Sequence, residues 1–179
     1  MNKIIDQTFK VAIYLRLSKE DDDLSCSSGA KSESNSISNQ RKLIYDFMKS
    51  HPELELYDEY KDDGKSGSNF DRAEFQRMMK DIEAGRGNCV IVKDQSRFGR
   101  DYIDVGKYKE KIFPKLGVRF ITINEGYDSL SATSSDDLAF TINSFVYDFY
   151  IRDISTKIRT NLTAKKQNGE YAGAFVAYG

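Results

Sequence analysis

Two stretches of the chain end an apolar run in side chains suited to reaction on a phosphate. Val11-Ala12-Ile13-Tyr14-Leu15-Arg16-Leu17-Ser18 closes on an arginine and a serine two positions apart. In a strand alternate side chains share a face, so Arg16 and Ser18 point the same way. Taken alone, this is a buried first strand with a polar exit. Much later, Cys89-Val90-Ile91-Val92 runs into Lys93-Asp94-Gln95-Ser96-Arg97-Phe98-Gly99-Arg100. Arg97 and Arg100 are three apart and share a face if that turn is helical. Between the two lies an exit with Lys65 and Ser66, followed by Arg72 just inside the next helix. Arginines gathered beside a serine repel one another and call for an anion, and the planar guanidinium suits phosphate oxygens. The rival reading gives each arginine its own surface carboxylate, with Asp71, Asp94 and Asp101 close enough to serve. That reading is the simpler one for any single arginine. For the set, a phosphate site is favoured.

Other chemistries are poorly supported. Gly64-Lys65-Ser66 has the form of a nucleotide-binding loop, but Glu59 stands where that loop needs its first glycine. The single histidine, His51, precedes Pro52 at an expected helix end, which disfavours histidine triads and multi-histidine metal sites. Cys26 and Cys89 have no metal-ligand spacing and are expected to be free thiols in a reducing, cytoplasmic setting. No cofactor is called for. A net charge of −1 argues against a domain that grips nucleic acid by its overall field, so any such contact needs a local basic patch.

The elements that must position these groups follow from periodicity. At 179 residues, 39% hydrophobic and 31% charged, the chain can bury a sizeable core, and no apolar run is long enough for a membrane span. Strands are expected at about 11–17, 54–60, 89–92 and 118–123. Helices are expected from Ser36 or Ser38 to Lys49, from Arg72 to Ala84 and from Tyr102 to Leu116. Residues 20–36 form a long polar loop rich in serine and aspartate. Alternation of strand and helix predicts an α/β fold, a mainly parallel sheet of four to five strands flanked by helices. The reacting groups then sit beyond the carboxyl ends of the strands.

The last part differs. From Asp136 to about Lys166 no glycine or proline interrupts one long helix. Leu138, Ile142, Phe145 and Phe149 make an apolar seam, Arg152 breaks it, and Ile154, Ile158 and Leu162 resume it. Arg152, Lys157, Arg159, Lys165 and Lys166 make its other part basic and nearly free of acids, so contact with nucleic acid competes with a plain solvated tail. Three regions are thus expected: a core over 1–135, a helix over 136–167, and from 168 to 179 the start of a linker.

Four segments in order resemble the catalytic domain of the serine recombinases, the resolvase/invertase family. They are Tyr14-Leu15-Arg16-Leu17-Ser18, Ser36-Ile37-Ser38-Asn39-Gln40-Arg41, Asp63-Gly64-Lys65-Ser66-Gly67 with Phe70-Asp71-Arg72, and Val92 to Arg100. The serine-rich insert, the Lys93-Asp94-Gln95-Ser96-Arg97 form of the last segment and the ending Gly169-Glu170-Tyr171 resemble the large recombinases of conjugative and mobilisable elements, in which a DNA-binding region follows. The resemblance implies that Ser18 attacks a DNA phosphodiester to give a 5′-phosphoserine link without metal or ATP. It implies that Arg16, Arg97 and Arg100 hold the phosphate, that Arg72 supports them or reaches a neighbouring phosphate, and that Gln40 orients the backbone or an arginine. An arginine near the leaving oxygen would manage protons, with Asp94 instead positioning the arginines. Lys65 and the basic residues of the long helix would face DNA. The helix would pair two copies, and two dimers would join as a tetramer on double-stranded DNA. A glutamate-arginine pair common midway along that helix in the family is missing around Asp148 to Asp153, so its role is not carried over. The rival functions are a serine-dependent phosphate-ester hydrolase and a non-catalytic dimerisation module.

Overall fold

Strand β1 (Phe9–Arg16) is apolar on both faces because both are covered. Phe9, Val11, Ile13, Leu15 and Leu17 pack on one side with Ile37, Ile44 and Met48 of helix α1 (Asn35–Lys49). Ala12 and Tyr14 face the other side, against Phe75, Met78 and Ile82 of α2 (Ala73–Glu83). Burying one such Ile or Leu contributes about 1.5–3 kcal/mol, so the alternation fixes which way Arg16 points. The computed structural model describes residues 8–17, 35–62, 72–99 and 101–169. Ser18, the loop over 20–34, Lys65, Asp71, Arg100 and the segment from 170 onward lie outside them.

The sheet has five strands in the order β2-β1-β3-β4-β5. β2 (Leu54–Asp62), β1, β3 (Cys89–Val92) and β4 (Arg119–Thr122) run parallel. The chain leaves β1 for β2 on one side and returns to β3 on the other. The carboxyl ends of β1 and β3 therefore flank a topological switch point, where open α/β sheets take their ligands. β5 (Tyr127–Asp128) pairs antiparallel with β4 and was not foreseen, because two residues in a polar run carry no strand periodicity.

A four-residue helix, α3 (Gln95–Phe98), follows β3, so the arginine turn is helical as far as Phe98. The helix expected over 102–116 is α4 (Tyr102–Lys107), a π-helical turn over Tyr108–Ile112, and α5 (Phe113–Leu116). Val105, Lys109 and Phe113, spaced by four, all face inward. Lys109 Nζ there lies 2.8 Å from Asp137 and over the rings of Tyr127 and Phe140. Gly117 ends α5 with φ 66°, a left-handed cap that glycine adopts without strain.

The long helix α6 (Ser134–Gln167) starts two residues before the expected Asp136. Thr133 caps it, and its hydroxyl and the Asp136 carboxylate form a reciprocal capping box. Phe140 and Ser144 are buried in its first turns, and further along Phe145 meets the Tyr102 ring edge-on at 5.8 Å. Leu138, Ile142, Phe145, Phe149, Ile154 and Ile158 are more than half exposed, as an apolar seam too long for the sheet requires. The basic part holds one acid that matters: Asp153 pairs with Lys157 at 2.7 Å. Arg159 and Lys166, seven apart, share a face, whereas Lys165 continues the line of Ile158 and Leu162. Lys157, Arg159, Lys165 and Lys166 are exposed, and the side chain of Arg152 is outside the described set.

Candidate active site

The site is built around α3. Four residues cannot hold a helix by themselves, since nucleation is unfavourable and few hydrogen bonds close. Neighbouring elements hold it instead. Asp94 caps the first turn, accepting from the Arg97 amide at 3.0 Å and from Ser96 Oγ at 2.6 Å. Glu125, in the connection from β4 to β5, accepts from the Gln95 amide at 3.1 Å. At the other end Arg16 Nε donates to the Arg97 carbonyl at 3.0 Å, and Arg16 Nη2 donates to the Ser96 carbonyl. Arg72 Nη1 donates to the Phe98 carbonyl at 3.2 Å. Carboxylates thus meet the positive end of α3 and guanidinium groups meet its negative end. Phe98 anchors the turn from below, fully buried, with Phe75, Tyr108, Phe113 and Phe120 around it at centroid distances of 4.9 to 5.7 Å.

Arg16 is held as firmly as it holds. Pairing of β1 with β3 stops at Ile13 and Ile91. Beyond it, Gln40 of α1 bonds the backbone amide and carbonyl of Arg16. Gln40 Oε1 accepts from its amide at 3.4 Å, and Gln40 Nε2 donates to its carbonyl at 3.2 Å. Arg97 Nη1 donates to the same carbonyl at 3.4 Å. Each of the two arginines therefore bonds the backbone of the other. Asp94 Oδ2 lies 3.9 Å from Arg97 Nε, a long ion pair between two largely covered side chains.

Arg72 sits behind this pair at 2% exposure. Its Nη1 also donates to the Tyr14 hydroxyl at 2.9 Å, and that hydroxyl donates to Asp62 at 2.8 Å. Burial pushes the Tyr14 phenol well above its ordinary value, so it stays a donor. Asp62 spends its remaining capacity on the Glu74 and Phe75 amides, capping α2 from the end of β2. The described contacts of the Arg16 and Arg72 guanidinium groups are with backbone carbonyls and a phenol, where the sequence suggested either a bound phosphate or surface carboxylates. Asp101, one such carboxylate, is spent as the cap of α4 on the amides of Ile103 and Asp104.

Of the expected site residues, Arg16, Gln40, Arg72, Asp94 and Arg97 meet around α3. Ser18, Arg100 and Lys65 fall outside the described residues. Three contributors were missed in the sequence: Tyr14, Asp62 and Glu125. Tyr14 shares the face of Arg16, but a tyrosine in an apolar strand reads as core. Glu125 follows β4 at the same edge as the other strand exits. Asp62 offers no local signal, because its partners lie across a loop. Burial pushes the Glu125 carboxyl up and the Asp94 charge adds to the rise, against the hydrogen bond from the Gln95 amide.

Among the described residues, His51 and Cys89 are structural, and Cys26 lies outside them. His51 stacks on Phe47 at 4.1 Å, with Nδ1 2.8 Å from the Phe47 carbonyl. Cys89 is buried, which pushes its thiol up to about 12. Among the described residues no cluster of histidine, cysteine and carboxylate could hold a metal, and no helix is long and apolar enough to cross a membrane.

The family model "Resolvase, N terminal domain" matches residues 11–171. The chain is similar to the N-terminal catalytic domain of TP901-1 integrase, with 27% identity and a TM-score of 0.59 over 80% of this chain and 97% of that one. It is similar to a resolvase family site-specific recombinase from Streptococcus pneumoniae, with 26% identity and a TM-score of 0.55 over 89% and 99%. The C-terminal catalytic domain of ISC1926 TnpA, an IS607-like serine recombinase, shares the fold at 16% identity and a TM-score of 0.51 over 86% and 83%. No curated protein matches the chain. With a switch-point site of interlocked arginines, a family match along nearly the whole chain and recombinase domains as structural neighbours, the chain belongs to the resolvase family and carries the catalytic domain of a serine recombinase.

Proposed function

We propose that this domain cleaves and rejoins double-stranded DNA through a 5′-phosphoserine intermediate on Ser18, in the excision or integration of a mobile element. The observation that carries the reading is the mutual hold of Arg16 and Arg97 at the end of β1, directly before Leu17 and Ser18. Two fixed guanidinium groups at a switch point can offset charge that develops at phosphorus without rearranging during the reaction. Arg100 completes the set by family resemblance. Arg72 and Gln40 act as supports, one beneath α3 and one along β1. The ester on Ser18 conserves the energy of the broken phosphodiester bond, so rejoining needs no nucleotide.

The exposed seam of α6 supports pairing of two copies, and two dimers would assemble on two DNA sites. Arg159 and Lys166 share a face that suits the phosphate backbone, with Lys165, Lys157, Arg152 and Lys65 as further contacts. The direct test incubates the protein with a supercoiled plasmid carrying the DNA that flanks its own gene. Protein attached to the 5′ ends of cut DNA is the expected product, absent in Ser18→Ala. An adduct that survives Ser18→Ala removes Ser18 as the nucleophile. Turnover of a simple phosphomonoester that depends on Ser18, with no DNA adduct, would favour the hydrolase.

A further inference from the structure

We propose that Glu125 is a positioning residue for strand cleavage, holding the first turn of α3 and thereby the direction of Arg97. The inference rests on the recombinase reading above and adds a group that none of the four family-like segments contains.

Asp94 serves the Arg97 amide and the Ser96 hydroxyl, and the Gln95 amide is left for Glu125. Glu125 reaches it from the far end of β4, 30 residues along the chain. This carboxyl is a costly choice of cap. It is half-buried and lies close enough to Asp94 for the two negative charges to oppose each other. A neutral acceptor would cap the turn with less desolvation. The groups facing it are the Thr122 hydroxyl at the end of β4, the Asp94 carboxylate before α3 and the Tyr147 phenol of α6, whose own ionisation is suppressed by burial and by the Glu125 and Asp94 carboxylates. A cavity of about 10 Å³ nearby, lined by Gln95, Ser96, Ser144 and Tyr147 among others, has room for about one water. The turn so held presents the Ser96 and Arg97 carbonyls to Arg16. Loosening its first turn therefore releases both arginines of the site at once.

The test compares Glu125→Ala, Glu125→Gln and Gln95→Pro in the intact protein. Proline at the first helical position removes the amide donor and is compatible with the helix, and Asp94 before it already has an extended backbone. Cleavage is read as covalent adduct on the same plasmid at saturating protein, DNA binding as a gel shift, and the turn itself as amide exchange of Arg97. The expected result is a loss of about tenfold or more in cleavage rate for Glu125→Ala and Gln95→Pro, with DNA binding little changed. Glu125→Gln, which keeps the acceptor oxygen, should stay near the parent rate, and the double variant should be no worse than either single one. Arg97 exchange should quicken in the Ala and Pro variants only. Full cleavage by Glu125→Ala, or a Gln variant as poor as the Ala variant, overturns the proposal. If the parent itself forms no adduct, the recombinase reading has failed, and unchanged Arg97 exchange in Glu125→Ala would separately overturn the hold on α3.

Discussion

Arg16 does two jobs with one fork, since Nε and Nη2 reach two successive carbonyls of α3. A lysine offers a point charge on a flexible stem and cannot span both. Arg16→Lys is expected to lower adduct formation by about 10²-fold or more while leaving DNA retention close to normal. Retained cleavage would mean that charge alone suffices there. Tyr14 acts one step further back, joining Asp62 to Arg72 through a single buried hydroxyl. Tyr14→Phe keeps the ring packing on Phe75 and leaves a carboxylate and a guanidinium facing a gap. The expected cost is about 1–3 kcal/mol by denaturant unfolding. Of these two residues, Arg16 was legible in the sequence as chemistry and Tyr14 was not, because a tyrosine in an apolar strand reads as core.

Among the elements, the π-helical turn carries Lys109, which pairs with Asp137 at the root of α6. Hydrogen bonding to Lys109 is the main cause holding the Asp137 carboxyl below its ordinary value. A carboxylate with a lowered folded-state value adds stability above the unfolded value near 3.8 and loses it as pH falls through the lower, folded one. Thermal melts of Asp137→Asn should therefore converge on those of the parent as pH drops below about 4, and fall below them at neutral pH. A constant gap across that range would show that the contact works by packing. The half-exposed carboxylate keeps the effect modest. Sequence periodicity found a helix over this region but not its wider turn, since a π turn depends on what its inward side chain meets.

For the whole molecule, the division of α6 governs behaviour in solution. Its root is capped, ion-paired and packed, while most of the apolar seam beyond Phe140 is more than half exposed among the described residues. Phe145 and Phe149 are 55% and 61% exposed, and they are spaced to lie on one face. Replacing both with glutamate should shift sedimentation toward the monomer and abolish cleavage with it, while the melting of the core changes little. A parent protein that sediments as a monomer at high concentration would leave the seam without a role in pairing.

The sequence by itself determined the α/β class, the positions of the four main strands, the long helix and the arginine-bearing exits. Each rests on local regularity: period two or a continuous apolar run in strands, period 3.6 in helices, and polar groups where an apolar run ends. Only the tertiary structure decided how the arginines are used. Arg16, Arg72 and Arg97 approach one another because β1 and β3 are neighbours in the sheet, and what they grip is the backbone of a four-residue helix. Tyr14, Asp62 and Glu125 join them through contacts 12 to 58 residues apart, a separation at which no spacing rule operates.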